Sequence, residues 1–141
     1  MTFSKDHVFA ALKDIAAIFW PPATVLALHV LRLLFLPLAT PLDMLMHFSG
    51  GLTIAWSVTN AYSLLRRHGL ATGLKFVEFA FVLVAATTLI GVLWEFMEYF
   101  FAQHAMIRMG INLYNDTLSD LALDMLGASV WTGIEAFRGR K

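Results

Sequence analysis

Asn112-Leu-Tyr-Asn-Asp116-Thr-Leu-Ser-Asp120-Leu-Ala-Leu-Asp124-Met-Leu-Gly127 sets an aspartate at every fourth position and then runs into apolar residues. At 3.6 residues per turn, side chains four apart share one helix face, so the three carboxylates form a ladder. Like charges at that spacing repel, and helix stability does not account for the ladder. Its surroundings decide how it is read, and they have the composition of a membrane protein.

The 141 residues are enough for one domain, and they are 59% hydrophobic and 14% charged. An ordinary soluble domain carries roughly 25% charged residues. Residues 76–94 are interrupted only by Glu78 and reach the roughly 20-residue apolar length of a bilayer crossing. There is no cysteine, which excludes disulfides and thiolate ligands. The first apolar region follows Lys13 and Asp14 and continues into Pro21-Pro22 without a small-residue cleavage motif, so no signal peptide is read there.

The expected fold is all-α: a polytopic membrane protein of four transmembrane helices preceded by an amphipathic interfacial helix. Residues 1–20 form that N-terminal helix, 21–137 the four-span domain and 138–141 a basic tail. Apolar groups at 8, 9, 11, 12, 15, 18 and 19 have helical spacing, with a polar edge at Asp6, Lys13 and Asp14. Pro21-Pro22 then resets the chain direction, because proline is tolerated in a first turn and not in a helix interior. The first span covers about 23–38 and contains His29 and Arg32. Arg32 either snorkels to the headgroups or pairs with an internal carboxylate. Thr40-Pro41-Leu42-Asp43 has the pattern of a helix start, and Gly50-Gly51 marks a point of close helix packing. The third span ends at Trp94-Glu95-Phe-Met-Glu98-Tyr99, residues 100–110 form a loop or a fraying end, and the fourth span starts near Asp116.

With four spans, Lys5, Lys13, Arg66, Arg67, Lys75, Arg138, Arg140 and Lys141 fall on one side and Arg108 on the other. The positive-inside rule then makes both termini cytoplasmic, in a bacterial inner membrane. Asp43, His47, Glu95, Glu98, Asp116, Asp120 and Asp124 all lie toward the opposite side, on three different helices. Asp43 and Asp116 have a second explanation as helix-start residues. Asp124 has none, since it lies about 12 Å deeper than Asp116 at 1.5 Å per residue. An ionised, unpaired carboxylate at that depth is prohibitively costly.

A divalent metal resolves this electrostatic problem, with Asp43, His47, Glu95, Glu98, Asp116, Asp120 and Asp124 as candidate ligands. Oxygen donors suit Mg²⁺, Mn²⁺ or Ca²⁺, and the imidazole admits Zn²⁺ or Fe²⁺. Protonated or salt-bridged carboxylates are the alternative.

Three patterns, Asp43-Met-Leu-Met-His47-Phe-Ser-Gly50-Gly51, Trp94-Glu95-Phe-Met-Glu98 and Asp116-Thr-Leu-Ser-Asp120-Leu-Ala-Leu-Asp124-Met-Leu-Gly127, occur in that order. Together they resemble a family of small bacterial inner-membrane proteins of unknown function. More distantly they are similar to the VanZ-like membrane proteins linked to teicoplanin resistance. VanZ-like members place Gln after the first Glu and Asn near the last Asp, where this chain has Glu98 and Asp124. The resemblance implies a multi-span membrane fold and almost no biochemistry.

Three functions are compatible with this pattern. The first is a metal-dependent hydrolase or transferase acting on lipid-linked phosphate at the outer leaflet, with His47, Arg32 and Arg108 as catalytic candidates. The second is a cation or proton pathway, which in a four-helix chain calls for a homo-oligomer. The third is a non-catalytic binding or scaffold protein. Membrane lipids are the expected partners. Nucleic acid is not, because the basic residues form no patch beyond those that set topology.

Overall fold

The computed structural model describes residues 5–36, 40–108 and 110–139, with side chains except those of residues 5–12, 40, 101–106 and 108. Four helices follow one another: α1 Lys5–Phe35, α2 Thr40–Arg67, α3 Phe76–Arg108 and α4 Leu113–Arg138. The bundle is all-helical and membrane-associated. Two segments, Lys13–Phe35 in α1 and Phe76–Phe100 in α3, are long and apolar enough to cross a bilayer. α2 and α4 are similarly long but carry the polar residues of the interior, and neither contains such a window.

The polarity is arranged inside out relative to a soluble protein. Phe35, Val77, Phe81, Phe96 and Phe100 are exposed, whereas His29, Arg32, His47, Glu98, Asp120 and Asp124 are buried. Soluble domains almost never fully bury such charges or expose so many large apolar side chains. A hydrocarbon surround makes both arrangements consistent.

α1 does not break at Pro21-Pro22, contrary to the separate interfacial helix expected from the sequence. Pro22 has no N–H to donate to the carbonyl of Ile18, one turn earlier. The Ser57 hydroxyl on α2 donates to that carbonyl instead, at 2.7 Å. Re-satisfying a freed carbonyl from a neighbouring helix is what lets proline stand inside a membrane helix.

The other end of the chain also differs from expectation. α3 continues to Arg108, so of the two alternatives for residues 100–110, a loop or a helix end, residues 100–108 are helix, because no Gly or Pro interrupts it before Gly110. Gly110 has φ 76°, a left-handed conformation that glycine adopts without strain. α4 begins earlier than expected: Asn112 is its cap and accepts from the Asn115 N–H at 3.4 Å, which releases Asp116 from a capping role.

α2 and α4 form the most extensive helix contact; α1 packs on α2, and α3 packs on both α2 and α4. Glycines set the central approach. A Cβ on Gly51 would overlap the Asp124 carbonyl, and one on Gly127 would overlap the Phe48 carbonyl. The two backbones therefore touch where Gly50-Gly51 predicted close packing. Ala55, Leu83, Ala128 and Trp131 form an apolar core beyond this crossing.

Candidate metal centre

The C-terminal parts of α1 and α3 and the N-terminal parts of α2 and α4 lie at the same end of the bundle. Each contributes polar side chains to one buried cluster. His29 and Arg32 come from α1, Asp43 and His47 from α2, Glu95 and Glu98 from α3, and Asp116, Asp120 and Asp124 from α4. The positive ends of the α2 and α4 dipoles favour carboxylates there.

Arg32 is 8% exposed and forms an ion pair with Asp43, so it turns inward rather than to the headgroups. Glu98 accepts from His29 Nε2 at 2.9 Å. The His29 ring stands edge-on to Trp94, with centroids 5.0 Å apart, and to His47, 5.5 Å apart. Glu95 Oε2 accepts from Thr117 at 2.7 Å.

His47 is held between two rungs of the ladder. Its Nδ1 lies 3.6 Å from Asp124 Oδ1, and its Nε2 lies 3.6 Å from Asp120 Oδ2. Asp124 fits because α3 places Gly91 against it: a Cβ there would overlap its carboxylate. Asp120 is only 2% exposed.

Several atoms in this cluster have no hydrogen-bond partner. Nε2 of His47, Oε1 of Glu95 and Oδ2 of Asp120 are buried and unsatisfied. His47, Glu95 and Asp120 can each offer one ligand atom within 4.8 Å of the others. The sets His29–Asp43–His47 and Asp43–Asp116–Asp120 meet the same distance condition. His47 Nε2 and Asp120 Oδ2 face each other at 3.6 Å without a hydrogen bond, and buried polar atoms left so on residues of three helices have the character of ligand atoms.

Of the seven ligands expected from the sequence, Asp43, His47, Glu95, Asp116 and Asp120 fall in these sets. Glu98 and Asp124 stand beside them, Glu98 against His29 and Asp124 against the far ring nitrogen of His47. Of the catalytic candidates, His47 is central and Arg32 is engaged with Asp43, while the Arg108 side chain and residues 140–141 of the basic tail lie outside the described residues. His29, Thr117 and Gly91 join the cluster without having been singled out for it. His29 could have been found from its position one turn before an arginine in an apolar helix, and Gly91 from its place one turn before Glu95.

The fold and the cluster define a class: an all-helical membrane-associated protein with clustered His and carboxylate side chains capable of coordinating a metal ion. The chain belongs to the family described as "Predicted membrane protein (DUF2238)", which matches residues 21–141. Comparison with curated proteins and with solved structures gives no match.

Proposed function

We propose that this is a divalent-metal-binding integral membrane protein whose centre is His47, Glu95 and Asp120 and whose chemistry is metal-assisted hydrolysis of a lipid. The observation that carries this reading is that His47, Glu95 and Asp120 can offer ligand atoms within 4.8 Å of one another and that each keeps a buried nitrogen or oxygen without a hydrogen bond. Asp124 orients His47 from behind, the carboxylate–histidine arrangement that fixes the tautomer of a ligating imidazole. A mixed imidazole and carboxylate set suits Zn²⁺, Mn²⁺ or Fe²⁺ better than Mg²⁺ or Ca²⁺, which prefer oxygen alone. A bound ion supplies Lewis acidity and lowers the pKa of water. Thr117 holds Glu95 through Oε2, which leaves Oε1 as its ligand atom.

In this reading all four helices span the bilayer, with α2 and α4 tolerated because their polar faces are turned inward. Both termini are cytoplasmic by the distribution of lysine and arginine, in a bacterial inner membrane, and the metal centre faces outward. The VanZ-like motif spacing contributes no chemistry to it.

A lipid-phosphate substrate draws less support. Arg32 is the one guanidinium among the described cluster residues, and Asp43 engages it. A pathway across the bilayer is opposed by the core of Ala55, Leu83, Ala128 and Trp131 below Asp124. Glu78 caps the start of α3 through the Lys75 N–H, and Asn60 donates to its own helix at Trp56. A purely structural network is the second reading, favoured by the inward Arg32–Asp43 pair.

Elemental analysis of gently purified protein decides between the two. Stoichiometric divalent metal in the wild type, lost in Glu95→Gln and Asp120→Asn, supports the metal centre. Metal-free wild type that stays metal-free after resupply assigns the cluster to structure.

A further inference from the structure

The backbone of α1 makes close contact with α2 and none with α3 or α4 among the described residues; α1 reaches α3 through the His29 side chain, which meets Glu98 and Trp94. The space between α1 and α3, floored by α2, is a cleft of about 420 Å³. That is within the roughly 300–1,000 Å³ range of small-molecule sites and near its lower end. Leu26 and Phe19 on α1, Ile54 and Val58 on α2 and Ile90 on α3 line it, so its walls are almost wholly hydrocarbon. One part of the wall is different: His29, His47 and Asp124 reach the cleft from the metal cluster, and each is more than nine-tenths buried.

An apolar slot that ends on a buried polar group matches an amphiphile lying tail-in, its first polar atoms at the cluster. The volume fits one chain rather than two. The charge of the cluster selects the head. Asp43, Glu95, Glu98, Asp116, Asp120 and Asp124 face Arg32, His29 and His47. With all six carboxylates ionised, His29 protonated, His47 neutral as a ligand and a divalent ion bound, that set sums to below zero. A phosphate is repelled by such a site, whereas an uncharged carbonyl is not.

We infer that the cleft holds the hydrocarbon chain of a fatty acyl ester or amide, with the carbonyl at His29, His47 and Asp124. This deepens the metal-centre reading and rests on it for the fate of the carbonyl. The chain site itself rests on the cleft.

The test uses the full chain in phosphatidylcholine nanodiscs with a palmitoyl amide carrying a mid-chain diazirine. After irradiation, cross-linked residues are mapped by mass spectrometry and metal content is measured on the same samples. The expected result is saturable labelling within residues 19–26 and 54–61, displaced by excess palmitoyl amide and at least tenfold less by hexadecyl phosphate. Ile54→Trp and Ala23→Phe, which fill the cleft from α2 and α1, should each lower that labelling several-fold and leave metal content unchanged. Non-saturable labelling spread over outward residues such as Phe81 and Leu89 overturns the chain site. Equal displacement by hexadecyl phosphate overturns the uncharged head. Saturable cleft labelling in protein that retains no metal upholds the chain site and rejects the metal-centre reading alone.

Discussion

His47 Nδ1 and Asp124 Oδ1 lie 3.6 Å apart at the point where α2 and α4 come closest, and Gly91 on α3 leaves the room that the Asp124 carboxylate occupies. The deepest acid of the ladder is thereby a partner for the imidazole and not an isolated buried charge. Metal affinity should therefore fall in a graded way. Asp120→Asn and Glu95→Gln remove candidate ligands and should abolish stoichiometric binding. Asp124→Asn should weaken it about 10–100-fold while leaving it measurable. Titration with Zn²⁺ or Mn²⁺ by calorimetry checks the order; equal loss in all three makes Asp124 a ligand in its own right.

Metal should also stabilise the fold, because an ion that binds only the native state adds RT ln(1 + [L]/Kd). Chelator should lower the Tm of the wild type in detergent, and resupplied metal should restore it. Asp120→Asn should show no response to either.

Ser57 and Pro22 act on the same carbonyl. Ser57→Ala should cost roughly 0.5–1.7 kcal/mol, the range of interhelical hydrogen bonds measured in membranes. Pro22→Ala returns an N–H donor to Ile18 within α1, so Ser57→Ala should cost less in that background. A double-mutant cycle by thermal unfolding measures the difference. Identical costs in the two backgrounds would separate the serine from the proline.

Arg32 and Asp43 are both largely buried, and removing the guanidinium takes from Asp43 its permanently charged partner. Arg32→Ala should destabilise by about 3–5 kcal/mol. Adding Asp43→Asn should recover part of that loss. An unchanged melting profile in Arg32→Ala places the guanidinium outside the interior.

Gly127 sits against the α2 backbone with no space for a methyl group. Gly127→Ala should cost about 1–3 kcal/mol through overpacking. A Cβ added at Gly133 would meet no neighbouring atom within 4 Å, and Gly133→Ala on the same helix is the control, expected to be neutral or slightly stabilising. Comparable losses in both would point to helix propensity and not to the crossing.

Membrane character, the helices and the gathering of the acids at one end of the bundle are all legible in the chain, because each depends on local composition and on helical period. Asp116, Asp120 and Asp124 share a face whatever they pack against, and Gly50-Gly51 announces a close approach without naming its partner. The division of labour among the acids is not local. Nothing in the sequence says that Asp43 meets Arg32, that Glu98 meets His29, or that Glu95 and Asp120 keep an oxygen without a partner. Pro21-Pro22 reads as a break because the donor that repairs it, Ser57, is 39 residues away. The cleft likewise exists only because the α1 backbone packs on α2 and makes no close contact with that of α3. Periodicity determines which side chains one helix presents together; the crossing of the helices, set by glycine contacts, determines which of them find partners and which stay open to a ligand.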